Sequence, residues 1–220
     1  MTRDRLRFSL LADGGSRSLL PMVLMRLFVA IAPSAVALDE LEAATMPLRD
    51  EWPQLRWTDR PAWHITLAFL GEVDEPAVAR LAPQLEVAAR GNPALALSVA
   101  GSGAFPGPDR ARVLWTGIAG DRDGLGALAA AVATGARDAG APPPDDGRGF
   151  TPHLTLARCR APADVHSLVA ALAGYSGRLW TVTEIHLIRS LLGTRPRYEV
   201  IGTWPLRGLP RARPRRRPAL

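Results

Sequence analysis

One short phrase occurs twice in this chain and constrains the fold more than any other feature. The first copy is Trp63-His64-Ile65-Thr66-Leu67-Ala68-Phe69-Leu70-Gly71, and the second is Phe150-Thr151-Pro152-His153-Leu154-Thr155-Leu156-Ala157-Arg158. Each reads His-apolar-Thr-Leu-Ala. Both are short, β-prone, alternating runs, which predicts strands. Successive side chains on a strand point to opposite faces. Strict alternation therefore puts His64, Thr66 and Ala68 on one face, with Ile65, Leu67 and Phe69 on the other. It likewise sets His153, Thr155 and Ala157 against Leu154 and Leu156. Imidazole and hydroxyl then stand about 7 Å apart along each strand. Two such strands facing one another make a small site with two imidazoles and two hydroxyls, each strand turning an apolar face to the core.

That residue set suits moving a phosphoryl group between oxygens without a metal. One imidazole, neutral, takes a proton from the nucleophile. The other, charged, gives one to the leaving oxygen. An imidazole with an ordinary pKa of about 6.5 serves either part near neutral pH. The threonine hydroxyls can donate hydrogen bonds to non-bridging phosphate oxygens as charge redistributes. Arg158 closes the second copy as a candidate phosphate ligand, and Phe150 opens it as a candidate for stacking on a base. No His-x-His, no cysteine pair and no carboxylate beside either histidine points to a metal, and no pattern asks for a cofactor. His166, in a predicted helix, and His186, in a predicted strand, have no partner motif and read as surface or structural.

The rest of the chain supplies a mixed α and β frame. Arg26 to Ile31 reads as a strand, and Ser34 as the cap of a helix carrying Val36, Leu38 and Leu41. Gly71 reads as the end of the first His-Thr strand. Pro76 opens a helix running to about Arg90, with Leu81 and Leu85 inward. Leu95, Leu97 and Val99 alternate as a strand, and residues 101–108 read as a glycine- and proline-rich loop. Val113 to Ile118 is a strand, and Asp121 to Ala139 an alanine-rich helix striped by Leu125, Leu128 and Val132. Pro162 reads as the start of a helix with Val165, Leu168, Val169 and Leu172 inward. Leu179 to Leu191 and Tyr198 to Leu206 read as the last two strands. A strand–helix sequence follows each His-Thr strand, which suggests two similar lobes sharing a cleft.

Charge bears on partners only through its distribution. The net charge is +6, from 27 basic and 21 acidic residues, and every basic residue is arginine. Residues 207–220 hold six arginines (positions 207, 211, 213, 215, 216 and 217) and no acid; without them the two signs balance. This proline-spaced tail reads as disordered, and a cationic segment of that kind attracts phosphates through counterion release. Residues 1–24 read as an extension ahead of the first good strand. A secretory reading of Leu19–Ala37 is disfavoured by Arg26 within it and by the strand its cleavage would delete. The single cysteine, Cys159, excludes an internal disulfide.

At these residues the chain resembles the 2H phosphoesterase superfamily, and within it the RNA 2′,3′-cyclic phosphodiesterases, also called 2′-5′ RNA ligase-like proteins. The resemblance runs through Met25 to Ile31, His64 to Gly71, Phe105-Pro106 with Arg112 to Trp115, Pro152 to Arg158, Ile185 to Ser190 and Tyr198 to Leu206, covering about residues 25–206. It implies an α+β bilobal fold with two antiparallel sheets forming a central cleft and helices outside. It implies metal-independent, cofactor-free hydrolysis of a 2′,3′-cyclic phosphate end to a 2′-phosphate end. Carried over, His64 is the proton donor to the departing 3′ oxygen, His153 the proton acceptor that activates water, and Thr66, Thr155 and Arg158 hold the phosphate. RNA or a cyclic nucleotide is the expected partner, with no membrane, a monomeric state and a cytoplasmic location. Trp63 departs from the small polar residue expected before the first histidine. Two rivals stand beside this reading: a phosphoesterase acting on a small cyclic nucleotide or ADP-ribose cyclic phosphate, and an RNA-binding protein without turnover.

Overall fold

The computed structural model describes residues 24–144, 149–191, 193 and 197–208. The N-terminal extension, except Leu24, and the arginine tail beyond Gly208 lie outside the described residues. The described residues form nine strands: β1 (Leu24–Ile31), β2 (Arg56–Trp57), β3 (Ile65–Asp74), β4 (Leu95–Phe105), β5 (Ala111–Gly120), β6 (His153–Ala163), β7 (Trp180–Val182), β8 (Glu184–Leu191) and β9 (Arg197–Pro205). Four helices join them: α1 (Ala35–Glu51), α2 (Glu75–Arg90), α3 (Arg122–Asp138) and α4 (His166–Ala173). The fold is α+β, as expected. Within the described residues no helix is long and apolar enough to cross a membrane.

The strands follow one hydrogen-bonded path, β7-β4-β5-β6-β3-β1-β8-β9, with β2 on β6. Every pairing is antiparallel. Two separate sheets were the expectation; here two halves join at a seam. From the seam outward they read β3, β1, β8, β9 on one side and β6, β5, β4, β7 on the other. The strands at the seam share a single registered pair, Ile65 with Leu154. The halves are not consecutive pieces of chain. The strand after α2 joins the second half, and β8, after α4 and β7, returns to the first.

Local signals explain most elements. Ser34 Oγ accepts from Ala37 N at 3.2 Å, and Asp74 Oδ1 accepts from Ala77 N at 2.8 Å, capping α1 and α2. Asp121 Oδ1 does the same for Gly124 N at 2.9 Å at the start of α3. Leu81 and Leu85 of α2 and Leu125, Leu128 and Val132 of α3 are fully buried, on the faces the periodicity assigns. Residues 27–31 of β1 are all buried, as a strand covered on both faces requires.

Four expectations are corrected. Gly71 does not end its strand: at φ +70° it forms a bulge within β3, which continues to Asp74. Residues 101–105 are not loop but the second half of β4, after a bulge at Gly101 with φ +68°. Glycine is needed at 103 because the Trp115 indole lies on it; a Cβ there would stand 2.2 Å from the ring. Pro162 lies in β6, whose Ala163 still pairs with Ala111, and α4 starts at His166. The run from Leu179 to Leu191 is split at Thr183, and its first piece, β7, pairs with β4 while the second pairs with β1.

Candidate active site

The seam builds the site. In an antiparallel pair, one step either side of Ile65–Leu154 sets His64 beside Thr155 and Thr66 beside His153. All four lie on the face opposite the buried Ile65 and Leu154. The copies therefore meet edge to edge, crosswise, rather than facing each other across a gap. Because that register is held for a single pair, β3 and β6 part beyond it, and β2 takes over the edge of β6.

Strict alternation fails at the same place in both copies. Ala30 pairs with Thr66 but Val29 with Ala68, so Leu67 is the extra residue of a bulge. Trp115 pairs with Thr155 but Leu114 with Ala157, so Leu156 is its counterpart. Each bulge turns two successive side chains into the core: Leu67 and Ala68, then Leu156 and Ala157. The next residue swings to the histidine side. Phe69 is thus 36% exposed rather than core, beneath the Arg26 guanidinium at 4.8 Å. Ala68 and Ala157 do not share the histidine face as alternation predicts. The same bulge brings Arg158 onto that face, where its charge acts on both imidazoles.

Each imidazole is held from behind by the chain and walled by aromatic rings. His153 Nδ1 meets the Thr151 carbonyl oxygen at 2.8 Å; donating there leaves Nε2 for the cleft. A backbone hydrogen bond to Ala62 plays the same part for His64. Phe28 lies 4.6 Å from the His64 ring and Tyr198 5.2 Å from it, edge-on. Phe105 lies 5.0 Å from His153, edge-on, and Trp115 6.2 Å. Burial among these rings pushes His64 down to about 4, with the charges of Arg158 and His153 adding to the fall. Burial also lowers His153, assisted by Arg158 and opposed by the Thr151 hydrogen bond. In the free protein both imidazoles are neutral near pH 7.

The remaining candidates separate cleanly. Trp63 is buried and points into the core, with the Arg49 guanidinium 5.5 Å from its ring, so its departure from the resembled pattern does not alter the cleft. Phe150 is 40% exposed in the segment before β6. His166 is exposed and meets Asp164 Oδ1 at 2.9 Å. His186 is more interesting than its sequence context suggests, since Ala30 pairs with both it and Thr66, placing it on the cleft face. Its Nδ1 contacts Thr203 Oγ1 at 3.0 Å. Sequence reasoning did not find the four aromatic walls or Arg26; the bulges and pairings that deliver them are tertiary. Among the described residues no three His, Cys, Asp or Glu side chains cluster as metal ligands would.

Comparison with known proteins gives a consistent result. The family profile described as the 2′-5′ RNA ligase superfamily matches residues 33–194. An RNA 2′,3′-cyclic phosphodiesterase of Geobacillus stearothermophilus is 29% identical over 189 residues, 84% of this chain and 59% of that protein. The chain thus spans about three fifths of that curated relative's length. The crystal structure of TT0787 of Thermus thermophilus superposes with a TM-score of 0.66 at 30% identity, covering 84% of this chain and 99% of that one. That of E. coli LigT complexed with 3′-AMP gives 0.66 at 26% identity, covering 83% and 98%.

Proposed function

This chain belongs to the 2′-5′ RNA ligase superfamily, and from that premise we propose that it hydrolyses 2′,3′-cyclic phosphate ends of RNA to 2′-phosphate ends with its paired histidines. The observation that carries the reading is the single registered pair between β3 and β6, which gathers both His-Thr pairs onto one face, where the bulge at Leu156 adds Arg158. His153, neutral, accepts a proton from water as its oxygen attacks phosphorus. His64, charged, donates a proton to O3′ as the P–O3′ bond breaks, and the phosphate stays on O2′. Thr66 and Thr155 donate to the non-bridging oxygens, and Arg158 balances their charge.

The lowered pKa of His64 bears directly on this scheme. A fall from 6.5 to about 4 amounts to roughly 3 kcal/mol against the charged acid. A unit negative charge about 4 Å away returns roughly 4 kcal/mol at a surface-like dielectric. The substrate phosphate is therefore the group that charges its own acid, and the free and substrate-loaded proteins hold different protonation states.

Purified protein incubated in EDTA with an oligonucleotide ending in a 2′,3′-cyclic phosphate should yield 2′-phosphate ends at an undiminished rate. Turnover abolished by exhaustive chelation and restored by one divalent metal would overturn the scheme, as would a 3′-phosphate product. Thr66→Ala and Thr155→Ala should each lower kcat/KM by roughly 10- to 150-fold. Each removes one hydrogen bond to a charged group, worth roughly 1.5–3 kcal/mol. Unchanged kcat/KM in either variant would mean that hydroxyl does not meet the phosphate in the transition state.

A further inference from the structure

We propose that Arg56 and Arg160, flanking Arg158 on the cleft face, form a phosphate track that grips the RNA strand leading into the cyclic end, so that the substrate is a polynucleotide rather than a small cyclic nucleotide. The inference rests on the phosphodiesterase reading for the end group and adds what lies beyond it. Beyond the seam β3 leaves β6, and β2 takes the vacant edge. There Arg56 stands directly opposite Arg158, and Trp57 opposite Ala157. Directly opposed residues of an antiparallel pair share a face, with Cα atoms about 4.5–5.5 Å apart. Trp57 packs against the core, as its partner Ala157 does. Arg56 accordingly points the other way, with Arg158.

Arg160 is two residues past Arg158 on the same strand, about 7 Å on and on the same face. The β5–β6 register shifts between Arg158 and Ala163, but Cys159 is buried between two exposed arginines, which keeps Arg158 and Arg160 on one face. Arg56, Arg158 and Arg160 are all exposed. Like charges set directly opposite one another destabilise a sheet, and this group of three departs from a chain whose charges balance outside the tail. Polyanion binding resolves the repulsion. Arg158 is the member whose field reaches both imidazoles, so it serves the reacting phosphate. Arg56 and Arg160 stand further from the chemistry, where the next phosphates of a strand would run. A mononucleoside cyclic phosphate has one phosphate and cannot use them.

The test separates length from chemistry in the full chain. KM is measured for a cyclic-phosphate-ended octanucleotide and for cytidine 2′,3′-cyclic phosphate, with wild type and the double variant Arg56→Gln/Arg160→Gln. The octanucleotide KM should rise roughly tenfold at low salt, as two exposed charge pairs allow, with kcat kept and the mononucleotide KM within twofold. Anisotropy of a labelled octanucleotide ending in a 2′-phosphate gives a readout independent of turnover. The slope of log K against log salt should fall by about 0.7 per arginine removed, and Arg56→Lys/Arg160→Lys should restore it. An unchanged slope and octanucleotide KM overturn the track. An equal rise in both KM values also overturns it, because the arginines would then act on the cyclic phosphate itself. Wild type that binds RNA with the expected slope but hydrolyses neither substrate would sink the phosphodiesterase reading and leave the track standing.

Discussion

Replacing His64 or His153 by alanine is expected to lower kcat/KM for a 2′,3′-cyclic phosphate by roughly 10²–10⁴-fold, the usual worth of a positioned acid or base. The effect should be catalytic and not structural. Neither imidazole belongs to the apolar core, and among the described residues each hydrogen-bonds backward to the chain two residues before it. The two losses should not add. Proton donation and proton acceptance belong to one displacement, so the double variant should be little slower than the slower single one. The measurement is steady-state turnover of purified variants, with circular dichroism and thermal melting to show that the fold persists. A folded single variant with near wild-type kcat/KM would remove that histidine from the chemistry. Fully additive losses would mean that the two act in separate steps.

What could be read in the sequence, and what could not, divides along physical lines. The His-Thr pairs were legible because a strand repeats every two residues, and so few positions suffice to place imidazole and hydroxyl on one face. The spans of α2 and α3 were legible from Pro76 and Asp121 at their starts and leucines at helical spacing within. The position of Arg158 on that face was not derivable by alternation, which sets it opposite His153; the bulge at Leu156 reverses it. The same reversal at Leu67 exposes Phe69 and buries Ala68. A bulge is decided by the register of the partner strand, and Val29 and Leu114 carry no local mark of it. Composition misled at residues 101–105, where glycine serves the Trp115 ring rather than a turn. Tyr198 and Phe28 meet at His64 only because β8 and β9 return beside β1, a pairing that no short window of sequence encodes.

Arg158→Ala is expected to produce two changes at once, a loss of about 10²-fold in kcat/KM and a move of its pH profile to higher pH. The loss follows from charge-assisted hydrogen bonds to the phosphate, which a guanidinium can make in pairs. The pH shift follows from the same charge acting on the imidazoles. In the free protein the productive form has one histidine charged and the other neutral. Both are lowered, His64 to about 4. The optimum of kcat/KM should therefore lie below pH 6.5, with a fall of about tenfold per pH unit on the alkaline side as the single proton is lost. A neighbouring cation lowers an imidazole pKa, so its removal raises both, and the alkaline limb must shift upward. The profile of kcat, taken with substrate bound, should already lie further to the alkaline side, because the phosphate favours the charged acid. Arg158→Lys retains the charge and loses the planar fork, so it should keep the wild-type profile with part of the rate loss. A rate loss in Arg158→Ala without any alkaline shift would mean that Arg158 binds phosphate without setting the imidazoles. A downward shift would contradict the electrostatic account of the cleft altogether.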